Sequence, residues 1–251
     1  MVNSKDATPA NLPGRVWAFV LVGAALAALL SFFAGGPLKK TFRPPLHPVT
    51  VMGTTSMVPT HEDQVAADCK NAALVWAVMG ALLGAFLGLA GGTARGPFPA
   101  LPLKTFLGAT VGTLAAVAGA AAFLPVYAYV SNTATEDLSH DLITPLVVHA
   151  GAWAILGAGA GTALGLGLGR FDRSFAAALG GLLGGAIGGL VYEVVGALAF
   201  PSGGTSEPLA TYWGARLLAS STVCLAVALL ATASITSTGR PRREPTKDMM
   251  G

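Results

Sequence analysis

Three ionisable side chains, His149, Glu193 and Arg216, lie inside long apolar runs of this 251-residue chain. A charge in hydrocarbon is costly, so each needs a partner or a task. His149 and Arg216 fall about one helical turn from the start of their runs. Glu193 lies seven residues before Phe200, ~10 Å below the end where its run closes. With six spans those ends share one side of the membrane, so the three side chains share a leaflet. An unpaired carboxylate at that depth would be protonated or strongly destabilising. The pattern predicts a Glu193–Arg216 ion pair with His149 within reach, and with Tyr192 and Tyr212 completing the hydrogen bonds. Such a cluster either orients the last span on the one before it or serves as a proton or substrate site.

Other chemistry is hard to assemble from these residues. The chain contains no GxSxG, HExxH or Walker A motif, and no GxGxxG after a strand. None of His47, His61, His140 and His149 lies at i, i+4 from another. Asp137 and Asp141 flank His140 in a polar loop; that spacing would hold a divalent cation weakly, and a solvated acidic loop is the simpler reading. Cys69 precedes one apolar run and Cys224 lies inside another, so a disulfide between them is not expected, and no CxxC is present. No catalytic residue, cofactor site or metal site is therefore expected. The basic residues are spread over loops and tails, which argues against a nucleic-acid partner.

The elements that position the three residues follow from composition. Charged residues make up only 11% of the chain and its mean hydropathy is +0.64, whereas soluble domains carry about 25% charge. Six runs approach the ~20 residues that cross a bilayer. They are Val16–Ala34, Ala72–Gly91, Thr105–Leu124, Leu146–Gly167, Phe175–Phe200 and Trp213–Ile235. Pro125 and Pro201 are expected to end the third and fifth. The first run is longer than the ~7–15 apolar residues of a signal peptide, so it reads as a retained span. The expected fold is all-α: one integral membrane domain over the whole chain, 1–251.

Lys and Arg in short loops set orientation. Arg95 and Lys104 fall between spans two and three, and Arg170 and Arg173 between four and five. Arg240, Arg242, Arg243 and Lys247 fall in the tail 236–251. All lie on one side, while the loops 131–144 and 201–212 hold Glu136, Asp137, Asp141 and Glu207 and no Lys or Arg. Both termini are expected to be cytoplasmic, in a bacterial inner membrane. The segment 37–70 runs against this rule with Lys39, Lys40, Arg43 and Lys70. Three explanations stand: an exception offset by Glu62, Asp63 and Asp68, a reversed first span with a re-entrant piece, or a cleaved first span. The exception is preferred. Five prolines make this segment read as an extended, weakly structured surface loop.

Inside the spans glycine recurs every fourth residue. Gly80, Gly84, Gly88 and Gly92 follow Trp76-Ala77, and Gly157, Gly161, Gly165 and Gly169 follow Trp153-Ala154. A bare glycine face lets a neighbouring helix approach closely. The second members align Gly108 and Gly112 with Gly180 and Gly184, and Ala116 with Gly188. This is an internal parallel repeat of glycine-zipper hairpins. In that alignment Ala72 stands opposite His149 and Ala121 opposite Glu193. The doubled glycines Gly180-Gly181, Gly184-Gly185 and Gly188-Gly189 place span five at the bundle centre, in contact with helices on two sides. Span six begins with Trp213-Gly214 but has no ladder and is not counted as a third unit. Trp17, Trp76, Trp153 and Trp213 read as an interfacial belt.

The ladders, the basic turns and the segments Leu146–Gly169 and Gly180–Phe200 carry a resemblance over about two-thirds of the chain. The chain resembles a loose class of bacterial multi-pass membrane proteins built on duplicated glycine-zipper helical hairpins. That resemblance implies packing and no named activity. The function expected first is a non-enzymatic structural or accessory membrane protein, packing through glycine-lined faces into a homo-oligomer or larger membrane complex. Its partners would be the bilayer and other membrane subunits or itself. The alternative is a small-solute or ion/proton transporter using the Glu193, Arg216 and His149 cluster.

Overall fold

The computed structural model describes residues 12–95, 100–133, 143–169 and 171–237. Its helices are α1 (Leu12–Leu38), α2 (His61–Arg95), α3 (Leu101–Thr133), α4 (Ile143–Gly167), α5 (Phe171–Ala199) and α6 (Trp213–Ser237). All six are long and apolar enough to cross a membrane. In hydrocarbon a helix satisfies its own backbone, so the glycines that weaken helices in water are tolerated here. The chain is an all-α helical membrane bundle.

The segment after α1 is more ordered than its prolines suggest. β1 (His47–Val51) and β2 (Thr54–Val58) form an antiparallel hairpin. Its two-residue turn has positive φ at both Met52 (51°) and Gly53 (78°), the backbone that a tight hairpin needs. Val49, Thr50, Val51, Thr54 and Thr55 supply β-branched residues on both sides of it. Asn71, at the head of the second apolar run, fixes the preceding chain. Its Oδ1 accepts from Phe42 N at 2.9 Å and its Nδ2 donates to Phe42 O at 3.0 Å.

α2 and α3 extend well past the expected spans at this same end. Thr60 caps α2, its Oγ1 accepting from Asp63 N at 3.2 Å, so the helix starts before its apolar run. α3 runs through Pro125 to Thr133 instead of stopping there. Proline removes one intrahelical bond. Packing against the first turns of α2 compensates: Tyr127 and Ser131 are buried, and His61 Nε2 lies 3.1 Å from Ser131 O.

Each helix packs on its neighbours in sequence, and α1 packs on α6 to close a ring. Inside the ring α2, α4 and α6 also touch one another. α6 therefore takes the third inner place although it lacks a glycine ladder; Val223, Cys224, Val227, Ala228 and Ala231 are buried in its stead. The central helix is α4, half of whose apolar window is buried, against 39% for α5. α5 contacts α4 and α6 on two sides as expected, but its Leu183, Ile187, Val194 and Leu198 face outward.

The glycines explain how closely the helices approach. A methyl built on Gly80, Gly84, Gly108 or Gly112 would come within 3.0 Å of backbone across the α2–α3 contact. Across α4–α5 the same holds for Gly157, Gly161, Gly181 and Gly185, and Gly165 meets the backbone of Ser174. Gly180, Gly184 and Gly188 pack on α6 instead, against Leu230, Ala226 and Val223. The repeat thus aligns three residues away from the expected register. Gly112, which meets Gly80, corresponds to Gly181, which meets Gly157. In this register Leu124, not Ala121, stands where Glu193 does. Gly88 meets Lys104 backbone, whereas Gly92 meets only the side chains of Leu101 and Lys104. Gly169 does not pack: at φ +68° it is the left-handed residue that closes α4. Lys104 Nζ donates to Gly167 O at 2.7 Å, placing a cation on the negative end of α4.

Candidate functional site

At the end carrying the hairpin, α1, α2, α4, α5 and α6 converge on a cavity of about 50 Å³. α1 contributes Ser31, Phe32 and Gly35, and α2 contributes Val75, Trp76 and Met79. His149 and Trp153 come from α4, Tyr192 from α5, and Arg216, Ala219 and Ser220 from α6. Pro208, Leu209 and Ala210 of the connection between α5 and α6 complete the lining. The i, i+4 spacing on α4 and on α6 aims His149 with Trp153, and Arg216 with Ser220, at one point.

The expected ion pair is exchanged for another. Glu193 Oε1 bonds His149 Nδ1, and both side chains are almost fully buried. Arg216 does not join them. The reason is a helix face: Glu193 continues the row Gly181, Gly185, Gly189, which faces α4, whereas the row that faces α6 is Gly180, Gly184, Gly188. His149 Nε2 lies 3.3 Å from Pro208 O, which can only accept, so Nε2 carries a hydrogen. One further proton is then held between Nδ1 and Oε1. Whether it sits on the imidazole or the carboxyl, the pair is net neutral, which lowers the cost of burying it.

Aromatic rings pack around this pair. His149 and Trp153 lie 4.8 Å apart between centroids, His149 and Tyr192 5.4 Å, and Trp76 and Trp153 6.1 Å. Trp76 and Trp153 are thus core residues and not an interfacial belt, because the two inner helices bring the equivalent Trp-Ala positions face to face. Trp213 does remain exposed. Tyr212 does not reach the cluster; it stacks between Phe200 and Trp213.

The polar atoms that lack partners concentrate here. Among the described residues, five buried side-chain atoms have none. Four of them, Ser31 Oγ, Trp153 Nε1, and Arg216 Nε and Nη1, belong to residues lining this cavity. Among the described residues no carboxylate lies within ion-pair reach of Arg216. Sequence reasoning missed Ser31, Trp153 and Ser220. The available signal was their place on the inner faces of α1, α4 and α6.

The 200–212 connection covers the cavity and is tied down from several sides. Gly203 O accepts from Tyr212 N at 3.2 Å and from Thr211 Oγ1 at 3.1 Å, and Gly204 takes the left-handed φ of +63°. Lys39 Nζ donates to Thr211 O at 3.3 Å. Burial lowers the Lys39 pKa, the cations of Arg216 and Lys40 lower it further, and Glu207 opposes them. Burial raises the Glu207 pKa, Asp68 adds to the rise, and Lys39 opposes it.

Other sequence expectations fall elsewhere. Glu136, Asp137, His140, Asp141, Arg170, Arg240, Arg242, Arg243 and Lys247 lie outside the described residues, as does the side chain of Arg95. Among the described residues no group of three metal-ligating side chains occurs. Cys69 and Cys224 are both free thiols. Compared with protein-family models, curated proteins and solved structures, the chain matches none significantly.

Proposed function

We propose that this protein is a non-enzymatic, membrane-embedded binder of a small solute, of the transporter type. The observation that carries the reading is the cavity where five helices and the 200–212 connection meet, with His149 in its wall and with three lining residues, Ser31, Trp153 and Arg216, that hold buried polar atoms without partners. Buried polar groups are normally satisfied, and intramembrane polar clusters commonly mark substrate or ion pathways. The His149–Glu193 proton lies at the wall of the same cavity, where it would respond to an occupant. We also place the chain in a bacterial inner membrane with both termini cytoplasmic, which puts the cavity near the outer surface. The basic 37–70 segment is then an exception to the charge rule, and the engagement of Lys39 with Thr211 and Glu207 supports it.

The test is a thermal-stability screen of the purified protein in lipid nanodiscs against small anions, cations and neutral solutes. Flux of any hit into proteoliposomes would follow. Saturable stabilisation by one class is expected; no response to any class would defeat the reading. A second reading, an accessory subunit of a larger complex, draws on the β-hairpin, where every residue of β2 is exposed. Open strand edges accept partner strands. The glycine-zipper faces give that reading less support than expected, since most of them are filled by helices of the same chain. A stoichiometric partner that co-purifies with the intact protein, and is lost when the hairpin is replaced by a short linker, would favour it.

A further inference from the structure

We propose that the groove between α2 and α3 binds an anionic phospholipid, with the phosphate on Lys70 and part of one acyl chain along α3. The site shares no lining residue with the cavity beside His149 and is independent of the solute-binding reading. The groove follows from where the glycine ladder stops. Gly80, the first rung, meets the backbone of Gly112. Beyond it, toward the hairpin end, the walls carry the alanines Ala73, Ala120 and Ala121. A methyl group holds two helices apart but is too short to fill the gap it makes. The space left is about 370 Å³. Pockets that hold small ligands span ~300–1,000 Å³, so a stretch of acyl chain has room here.

Depth in the membrane selects the occupant. From Lys70 to Arg95, where α2 ends, is ~37 Å along the helix. A bilayer is ~30 Å across its hydrocarbon and ~40–45 Å with its head groups. With the end of α2 in one head-group layer, Lys70 stands in the other. Cys69 Sγ donates to Leu124 O at 3.8 Å, so Leu124 is level with the start of the groove on α2. Val117 lies ~10 Å deeper along α3. The groove therefore joins a head-group layer to the hydrocarbon beneath it, the course that one phospholipid takes.

Charge selects among lipids. Lys70 is exposed, and among the described residues it has no ion pair. Asp68, the nearest acid in sequence, accepts from Gln64 Nε2 at 3.0 Å. Side chains tilt toward the helix N-terminus, so the Lys70 stem rises from the groove toward the head groups. A second cation stands at the same level, because Asn71 holds Phe42 by two hydrogen bonds and Arg43 follows it. A zwitterionic lipid brings its own ammonium to its phosphate, whereas an anionic lipid leaves its phosphate to these cations. The basic residues of the 37–70 segment, which break the loop-charge rule, thereby gain a counter-charge. A second copy seated groove to groove is disfavoured, since two-fold symmetry would bring two Lys70 ammonium groups together.

The experiment measures lipid retained by the full-length protein in native mass spectrometry, with phosphatidylglycerol and phosphatidylcholine of identical chains in competition. One phosphatidylglycerol should be retained at least ~fivefold over phosphatidylcholine, the size of one basic residue at a membrane surface. Lys70→Gln should remove most of that preference. Arg15→Gln removes the same charge from the opposite end of α1 and should leave the preference unchanged. Ala121 is exposed on the groove wall, so Ala121→Leu should fold and weaken retention of both lipids several-fold. A diazirine in the acyl chain should cross-link to α2 and α3 around Ala73 and Val117. Retention of neither lipid, or equal retention of both, would overturn the proposal, as would an equal loss of preference in Arg15→Gln. Cross-links confined to other helices, or a dimer in place of the lipid that Ala121→Leu dissociates, would also overturn it.

Discussion

The α2–α3 and α4–α5 hairpins share a packing frame. In both, glycines bring backbones into contact, Gly80 against Gly112 and Gly157 against Gly181. In that frame Ala72 corresponds to His149 and Leu124 to Glu193. The first hairpin is apolar there and leaves an open groove of about 370 Å³ beside Cys69, Ala73, Ala120 and Leu124. The second carries a buried acid–base pair and borders the smaller cavity lined by His149 and Trp153. Packing alone therefore does not require the polar pair, because a sister hairpin packs without one.

The largest effect should come from breaking that pair. Glu193→Ala leaves a buried imidazole without its partner and should cost ~3–5 kcal/mol in unfolding experiments. His149→Ala with Glu193→Leu, which copies the first hairpin, should recover most of that loss. A double-mutant cycle of Glu193 with His149 should show strong coupling, and one with Arg216 little. Exchanging the charges of Glu193 and Arg216 should rescue nothing; rescue would mean that those two side chains pair after all.

Next in size are the glycine contacts. Gly185→Ala places a methyl on the Trp153 backbone and should destabilise by ~1–3 kcal/mol through forced separation of α4 and α5. Gly36→Ala on α1 meets open space and should change stability by less than ~1 kcal/mol. Equal effects at the two sites would show that helix propensity, not close approach, is being measured.

A smaller effect belongs to the connection over the cavity. The folded-state pKa of Glu207 is raised, so its protonation favours folding. That contribution is complete below the ordinary carboxylate value of 4.5 and is lost as pH rises through the raised folded value. Glu207→Gln should flatten this dependence and be the more stable form at neutral pH. A Gln variant that keeps the wild-type pH profile would assign the dependence to another group. Arg216→Gln, measured without added solute, should stabilise the bundle slightly by removing an uncompensated charge; a loss of stability would point to a partner for Arg216.

The six spans and the close-packed glycine faces were legible in the chain, because both depend on local composition and on a four-residue period. His149, Glu193 and Arg216 were equally visible, since charge is conspicuous in apolar runs. Their pairing was not. The doubled glycines of α5 present two rows, and only the packed bundle decides which row meets α4 and which meets α6. A rotation of about one residue around a helix turns a side chain by ~100°, enough to exchange one neighbour for another. The same limit hid the burial of Trp76 and Trp153, which depends on α2 and α4 meeting inside the ring. It also hid the third inner place taken by α6. Apolar run length thus determined which segments cross the membrane, whereas helix rotation and neighbour choice, set by contacts distant in sequence, decided what faces the cavity.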